Sequence, residues 1–188
     1  MSRYLPAIVL ALALLFGLSL LLHRSSPGPS PASSSAMSAP ATSTGATEAS
    51  STLVLPNLTF PDLQGHPQNL TAFRGHPVFL NMWATWCPPC RAEIPDLEEL
   101  YAVNHAKGFV VIGVDQGQDA TPVSSFVTSY SVNYPIVLDQ HQTLSQLAGV
   151  NGLPSTLVYN RKGKLVDEVT GMMTPQAMQL EFQKAESN

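Results

Sequence analysis

Apolar positions divide the chain into three stretches of different character. From Leu5 to Leu22 the residues are apolar apart from Pro6, Gly17 and Ser19. A run of about eighteen such residues lies at the lower edge of what spans a bilayer. Arg3 precedes it and His23 and Arg24 follow it, so flanking charge orients it only weakly. Residues 1–22 are therefore expected to be an N-terminal transmembrane anchor, with a cleaved signal peptide as the alternative. The small-residue pattern Ser34-Ser35-Ala36 lies well past the end of the apolar run. Residues 23–52 are mostly Ser, Pro, Ala and Thr, and cannot bury enough surface to offset the entropy of ordering. They read as a disordered linker that would tether a folded domain to the membrane. Periodic patterning begins at Leu53, and residues 53–188 read as one domain.

Within the domain, Leu58-Thr59-Phe60 and Pro67-Gln68-Asn69-Leu70 flank Gln64-Gly65 as a hairpin. The run Pro77–Trp83 predicts a strand, and Ile94, Leu97, Leu100 and Tyr101 then recur at helical spacing from about Pro88 to Ala106. Phe109–Asp115 is nearly continuous and β-branched, as a strand buried on both faces of a parallel sheet reads. Thr121–Tyr130 predicts a helix with Thr121 as cap and Pro122 at its first position. A short strand (Ile136–Leu138), a short helix (Thr143–Ala148), a hairpin (Ser155–Tyr159 and Lys164–Thr170) and a last helix (Thr174 to about Lys184) complete the pattern. This order predicts an α/β fold, a mixed sheet with helices on both faces.

Chemistry enters where the first long strand meets the first long helix. Cys87 and Cys90 lie there, and they are the only cysteines. Unpaired amides and the helix dipole favour an anion at a helix start, and a thiolate is the species that attacks disulfides. A structural disulfide across so short a loop removes little chain entropy. Zinc needs about four ligands, and His23, His66, His76, His105 and His141 show no paired ligand spacing. Copper(I) on the two thiolates is chemically reasonable and stays open as a non-enzymatic alternative, a copper-handling or oxidase copper-site assembly factor. The net charge of −4, with no basic cluster, argues against nucleic acid as a partner. No flavin, haem or nucleotide motif appears, and no cofactor or metal is expected.

The stretch Leu80-Asn81-Met82-Trp83-Ala84-Thr85-Trp86-Cys87-Pro88-Pro89-Cys90-Arg91-Ala92-Glu93-Ile94-Pro95 resembles the active-site region of the extracytoplasmic TlpA/ResA/CcmG group, ResA type above all. The resemblance extends from about Pro56 onward and includes Gly152-Leu153-Pro154-Ser155-Thr156, Lys162-Gly163-Lys164 and Thr170-Gly171. It implies a thioredoxin fold with an N-terminal β-hairpin extension and a βα insertion. It also implies a thiol-disulfide oxidoreductase that reduces disulfides of exported clients. Apocytochrome c-like proteins are the commonest client, and the dithiol would be restored by a membrane donor of CcdA or DsbD type. The catalytic domain would face the extracytoplasmic side of the cell membrane on its single span.

The same resemblance assigns residues. Cys87 would attack the client and Cys90 would resolve the mixed disulfide. Pro154 aligns with the cis-proline beside the cysteine pair, which would leave the backbone of Leu153 open to an extended client. Trp86 would shield the site or pack on a client, a core tryptophan being the alternative. Glu93 lies three residues after Cys90 on the same helix face and matches the family's active-site glutamate; Asn81 stands where thioredoxins carry a buried aspartate and takes no proton. Pro88 and Pro89 each withhold an amide from Cys87, so its thiolate should be stabilised only partly and the couple should be reducing. A peroxiredoxin-type peroxidase would want a threonine where Ala84 stands.

Overall fold

The computed structural model describes residues 53–187; the anchor expected over residues 1–22 and the linker over 23–52 lie outside the described residues. Strands β1 (Thr59–Pro61) and β2 (Pro67–Asn69) form the expected antiparallel hairpin. A 3-10 turn, Leu70–Phe73, comes next; Asn69 caps it by accepting from the Thr71 amide at 2.8 Å. The main sheet consists of β3 (Val78–Trp83), β4 (Val110–Gln116), β5 (Ile136–Asp139), β6 (Ser155–Tyr159) and β7 (Leu165–Thr170), ordered β5-β4-β3-β6-β7. β3 runs parallel to β4 and β4 to β5, while β6 pairs antiparallel with β3 and with β7. Among the described residues four α-helices complete the fold: α1 (Pro88–Asn104), α2 (Ala120–Ser129), α3 (Thr143–Ala148) and α4 (Pro175–Glu186).

Every residue of β3 is buried, which its central place in the sheet requires. Alternation along the strand sends Phe79 and Trp83 to one face and Val78, Leu80 and Met82 to the other. The first face packs against Ile94 and Leu97 of α1, Val123 of α2 and Phe182 of α4. The second packs against Leu144 of α3 and, from the hairpin region, Phe60 and Leu70. Both faces are thus covered, as the continuous apolar runs of β3 and β4 demand.

Several boundaries differ from the sequence reading by a residue or two, and three of them have a visible cause. α2 starts at Ala120 with Asp119 as its cap residue, not at Thr121, because Asp119 is the last extended residue (φ −81°, ψ 162°). Pro122 then lies further along the first turn, where its missing amide still breaks no helical bond. α1 stops at Asn104 rather than Ala106, where a 3-10 turn over His105–Lys107 leads into left-handed Gly108. β7 begins at Leu165, one residue late, next to an irregularity in its register at Val158/Tyr159.

Gly113 in the middle of β4 has a packing role. A Cβ there would lie 2.5 Å from Ile136 Cδ1, 2.9 Å from Trp83 Nε1 and 3.1 Å from Tyr134 Cε2. Only a bare backbone lets the Trp83 indole lie against the sheet at this point. Gly113→Ala is expected to destabilise the domain by about 1–3 kcal/mol, the usual effect of overpacking. Urea denaturation of the variant checks this, and an unchanged midpoint would contradict it.

Candidate active site

β3 ends at Trp83, and the chain crosses Ala84-Thr85-Trp86 before α1 begins. Two side-chain contacts fix this loop. Gln118, just after β4, accepts from the Thr85 amide and donates to the Thr85 hydroxyl, each at 2.8 Å. The Gln118 amide in turn donates to Asp115 Oδ1 at 3.0 Å. A buried carboxyl at the end of β4 therefore holds the turn that holds the loop before Cys87.

Cys87 is the cap residue of α1, in extended conformation (φ −89°, ψ 107°). Pro88 and Pro89 occupy the first two helical positions, where a proline costs no helical hydrogen bond. Cys87 Sγ accepts from the Cys90 amide at 3.3 Å. The two cysteines are joined in a disulfide, with Cα atoms 5.3 Å apart. Both are buried, Cys87 at 3% exposure and Cys90 at 1%, so exposure barely separates them. Access does: Cys87 borders a cleft of about 610 Å³ and Cys90 is not among its lining residues. Trp86, 64% exposed, stands on the rim of that cleft rather than in the core.

Leu153 lines the same cleft, and the Leu153–Pro154 peptide bond is cis. The Pro154 carbonyl accepts from the Gly171 amide at 2.8 Å. Neither the amide nor the carbonyl of Leu153 has a hydrogen-bond partner among the described residues. Amide and hydroxyl side chains complete the wall: Gln116, Gln142, Ser145, Gln146 and Asn151. The cleft presents hydrogen-bonding groups but no formal charge.

Glu93 lies one helical turn beyond Cys90 and is 1% exposed. Its Oε1 accepts from the Met173 amide at 3.0 Å, and its Oε2 from Asn81 Nδ2 at 3.4 Å. Asn81 also donates to the Thr156 hydroxyl at 3.0 Å, tying α1, β3 and β6 together. Burial pushes the Glu93 carboxyl up to about 7; the two hydrogen bonds oppose this and the nearby Asp96 charge adds to it. Glu93 is thus a buried carboxyl able to exchange a proton near neutral pH, on the helix that carries Cys90 and is capped by Cys87.

The sequence reading did not single out Asp115, Gln118 or Met173. Met173 contributes only its backbone amide, which side-chain identity cannot signal. Asp115 did carry a signal, since it is the one charged residue in a run otherwise fit for a doubly buried strand. It is fully buried, and burial pushes its carboxyl up to about 7, aided by the neighbouring charge of Asp139 and opposed by the Gln118 amide. Among the described residues no group of three or more His, Cys, Asp or Glu side chains is placed to hold a metal ion.

A disulfide-bonded cysteine pair at a strand-to-helix junction, beside a cis proline on a mixed five-stranded sheet, defines a thioredoxin-fold thiol-disulfide oxidoreductase. Comparison with known proteins gives the class its particulars. The family model described as Redoxin matches residues 48–186, and the chain belongs to that family. It is 36% identical over 119 residues to the thiol-disulfide oxidoreductase ResA of Geobacillus thermodenitrificans, covering 63% of this chain and 68% of the relative. To ResA of Bacillus subtilis (strain 168) it is 38% identical over 119 residues, covering 63% and 66%. A crystal structure from Chlorobium tepidum, reported as a putative thiol:disulfide interchange protein DsbE, superposes with a TM-score of 0.66 at 26% identity, covering 70% of this chain and 94% of that one. The chain is a thiol-disulfide oxidoreductase of the ResA and DsbE type.

Proposed function

We propose that this protein is a membrane-tethered, extracytoplasmic reductant of client disulfides, acting on apocytochrome c-like proteins that carry a cysteine pair. The observation that carries the reading is the position of Cys87, which opens onto an uncharged cleft beside the unpaired backbone of Leu153. An extended client strand pairing with Leu153 would bring its disulfide to Cys87.

The Cys87 thiolate attacks one client sulfur. A Cys87–client bond forms, the client disulfide breaks, and the departing client thiolate takes a proton from solvent. Cys90 then gives up its proton, with the Glu93 carboxylate as acceptor, and attacks Cys87 Sγ. The Cys87–Cys90 disulfide forms and the second client thiolate leaves and is protonated. The client has gained two electrons and two protons. A membrane dithiol donor of CcdA or DsbD type, exchanging thiols for the disulfide, returns the same number to the protein. Trp86 on the rim packs against the bound client.

Support for the tether is the apolar run Leu5–Leu22 and the Ser/Pro/Ala/Thr-rich stretch after it. Among the described residues no helix is long and apolar enough to cross a membrane.

The test is a Cys90→Ala variant in intact cells. Without the resolving thiol, Cys87 should stay bonded to its client, giving a thiol-sensitive adduct in the membrane fraction. The expected partner is an exported protein with a cysteine pair. Capture of cytosolic proteins alone, or a soluble adduct cleaved after Ala36, would contradict the reading.

A further inference from the structure

The active-site end of the sheet, where β3 and β4 finish, carries almost no positive charge. Arg74 precedes β3, Lys107 precedes β4, Arg161, Lys162 and Lys164 lie in or beside the β6–β7 turn, and Lys184 is in the last turn of α4. All of these lie toward the opposite end. Among the described residues Arg91 is the one Lys or Arg next to the disulfide, and its amide donates to the Cys87 carbonyl at 3.1 Å.

The Arg91 side chain is exposed yet firmly held. Its Nε and Nη2 both donate to the Tyr130 hydroxyl, at 3.0 and 2.9 Å. Its guanidinium carbon lies 5.9 Å from the Phe126 ring centre and 5.7 Å from that of Tyr130. Those two rings stack on each other at 4.1 Å, and Phe126 packs at 5.2 Å on the buried Trp83. Helix α2 and the residue after it thus build an aromatic brace for one cation. None of the ion pairs among the described residues involves Arg91. Nη1 and the second hydrogen of Nη2 remain free to donate. An ordinary surface arginine loses considerable side-chain entropy when it binds, and this one has already lost it.

We infer that Arg91 is a client-selecting residue that takes a carboxylate on the client, an aspartate or glutamate within a few residues of the attacked cysteine. The uncharged cleft lies on the α3 side of the cysteine pair and Arg91 on the α2 side. A client crossing Cys87 therefore has its polar or apolar side chains received on one side and meets a fixed cation on the other. Guanidinium and carboxylate match in two parallel hydrogen bonds, and a charge on an interface rim acts chiefly on encounter and selection. This inference rests on the reductant reading above.

The test uses the reduced protein and short cysteine peptides bearing a thionitrobenzoate group on sulfur. Each turnover oxidises Cys87–Cys90 and releases peptide thiol and coloured thionitrobenzoate. Otherwise identical peptides carry Glu, Gln or Lys near the cysteine. At low salt the second-order rate for the Glu peptide should exceed that for the Gln peptide about fivefold, the scale of a well-formed exposed ion pair. The Lys peptide should be slower than the Gln peptide. Arg91→Gln should bring the Glu/Gln ratio to about one, Arg91→Lys should restore part of it, and Tyr130→Phe, which removes only the hydroxyl, should fall between. High salt should flatten the wild-type ratio. A wild-type ratio of one, or a ratio that survives Arg91→Gln, overturns the inference while leaving reductase activity intact. Failure of the wild type to reduce any peptide overturns the reductant reading, and the inference with it.

Discussion

Glu93→Gln should remove a fall in stability that the oxidised wild type shows as pH rises from about 4.5 to about 7. The direction comes from burial. The carboxyl titrates near 4.5 when exposed and near 7 in the folded protein. Between those values the folded state holds a proton that the unfolded state has released, so raising the pH favours unfolding. The penalty is absent below the unfolded value and complete above the folded one. Carrying the carboxyl that far corresponds to on the order of 3 kcal/mol. Asp115 adds a fall of the same sign, so the wild type shows both and the difference between wild type and variant isolates Glu93. Gln keeps an oxygen for the Met173 amide but has no proton to exchange. Urea denaturation of both oxidised proteins across this range checks the claim, and parallel pH profiles would contradict it. The same substitution should slow resolution by Cys90 by about 10²-fold, the lower end for a lost general base. Alkylation of Cys90 followed against pH reads that step apart from stability.

Much of this architecture is legible in residue patterns. The strand-to-helix junction at Cys87 stands out because β3 is apolar on both faces and α1 repeats at helical spacing immediately afterwards. Pro88 and Pro89 fall where prolines fit a helix start, so the position of the turn carries little ambiguity. Glu93 is marked by its spacing from Cys90 together with the resemblance. Its partners are less accessible, since the Met173 amide comes from eighty residues away and is presented by a loop. Sequence places the cap of α2 two residues late because Thr121-Pro122 satisfies a local capping rule equally well, and tertiary contacts choose Asp119. Asp119 makes no side-chain bond to the helix it caps and instead accepts from Gln140 Nε2 at 2.8 Å, a contact no local window contains. The relative access to the two cysteines cannot be read from local pattern, because it depends on how the loop Gly149–Leu153 walls the cleft.

The reduction potential of the Cys87–Cys90 couple should lie near that of thioredoxin, about −270 mV, and far from the strongly oxidising value of about −120 mV found for DsbA. Two prolines set this by what they withhold from a thiolate. An anion at a helix start is stabilised by the amides that point at it. Pro88 and Pro89 have none, and the Cys90 amide, 3.3 Å from Cys87 Sγ, is the one hydrogen-bond donor to the sulfur among the described residues. Burial of the sulfur withholds solvent from the charge as well. A thiolate so weakly stabilised leaves the reduced form without the extra stability that makes DsbA an oxidant. For this two-electron couple about 30 mV is a tenfold change in equilibrium, so the two ends differ by roughly 10⁵. The measurement is equilibration of the protein with dithiothreitol or glutathione buffers of known ratio, with the dithiol fraction read by alkylation. A midpoint near −270 mV supports a reductant of client disulfides; a midpoint near −120 mV would make the protein an oxidant and contradict the proposed direction of electron flow.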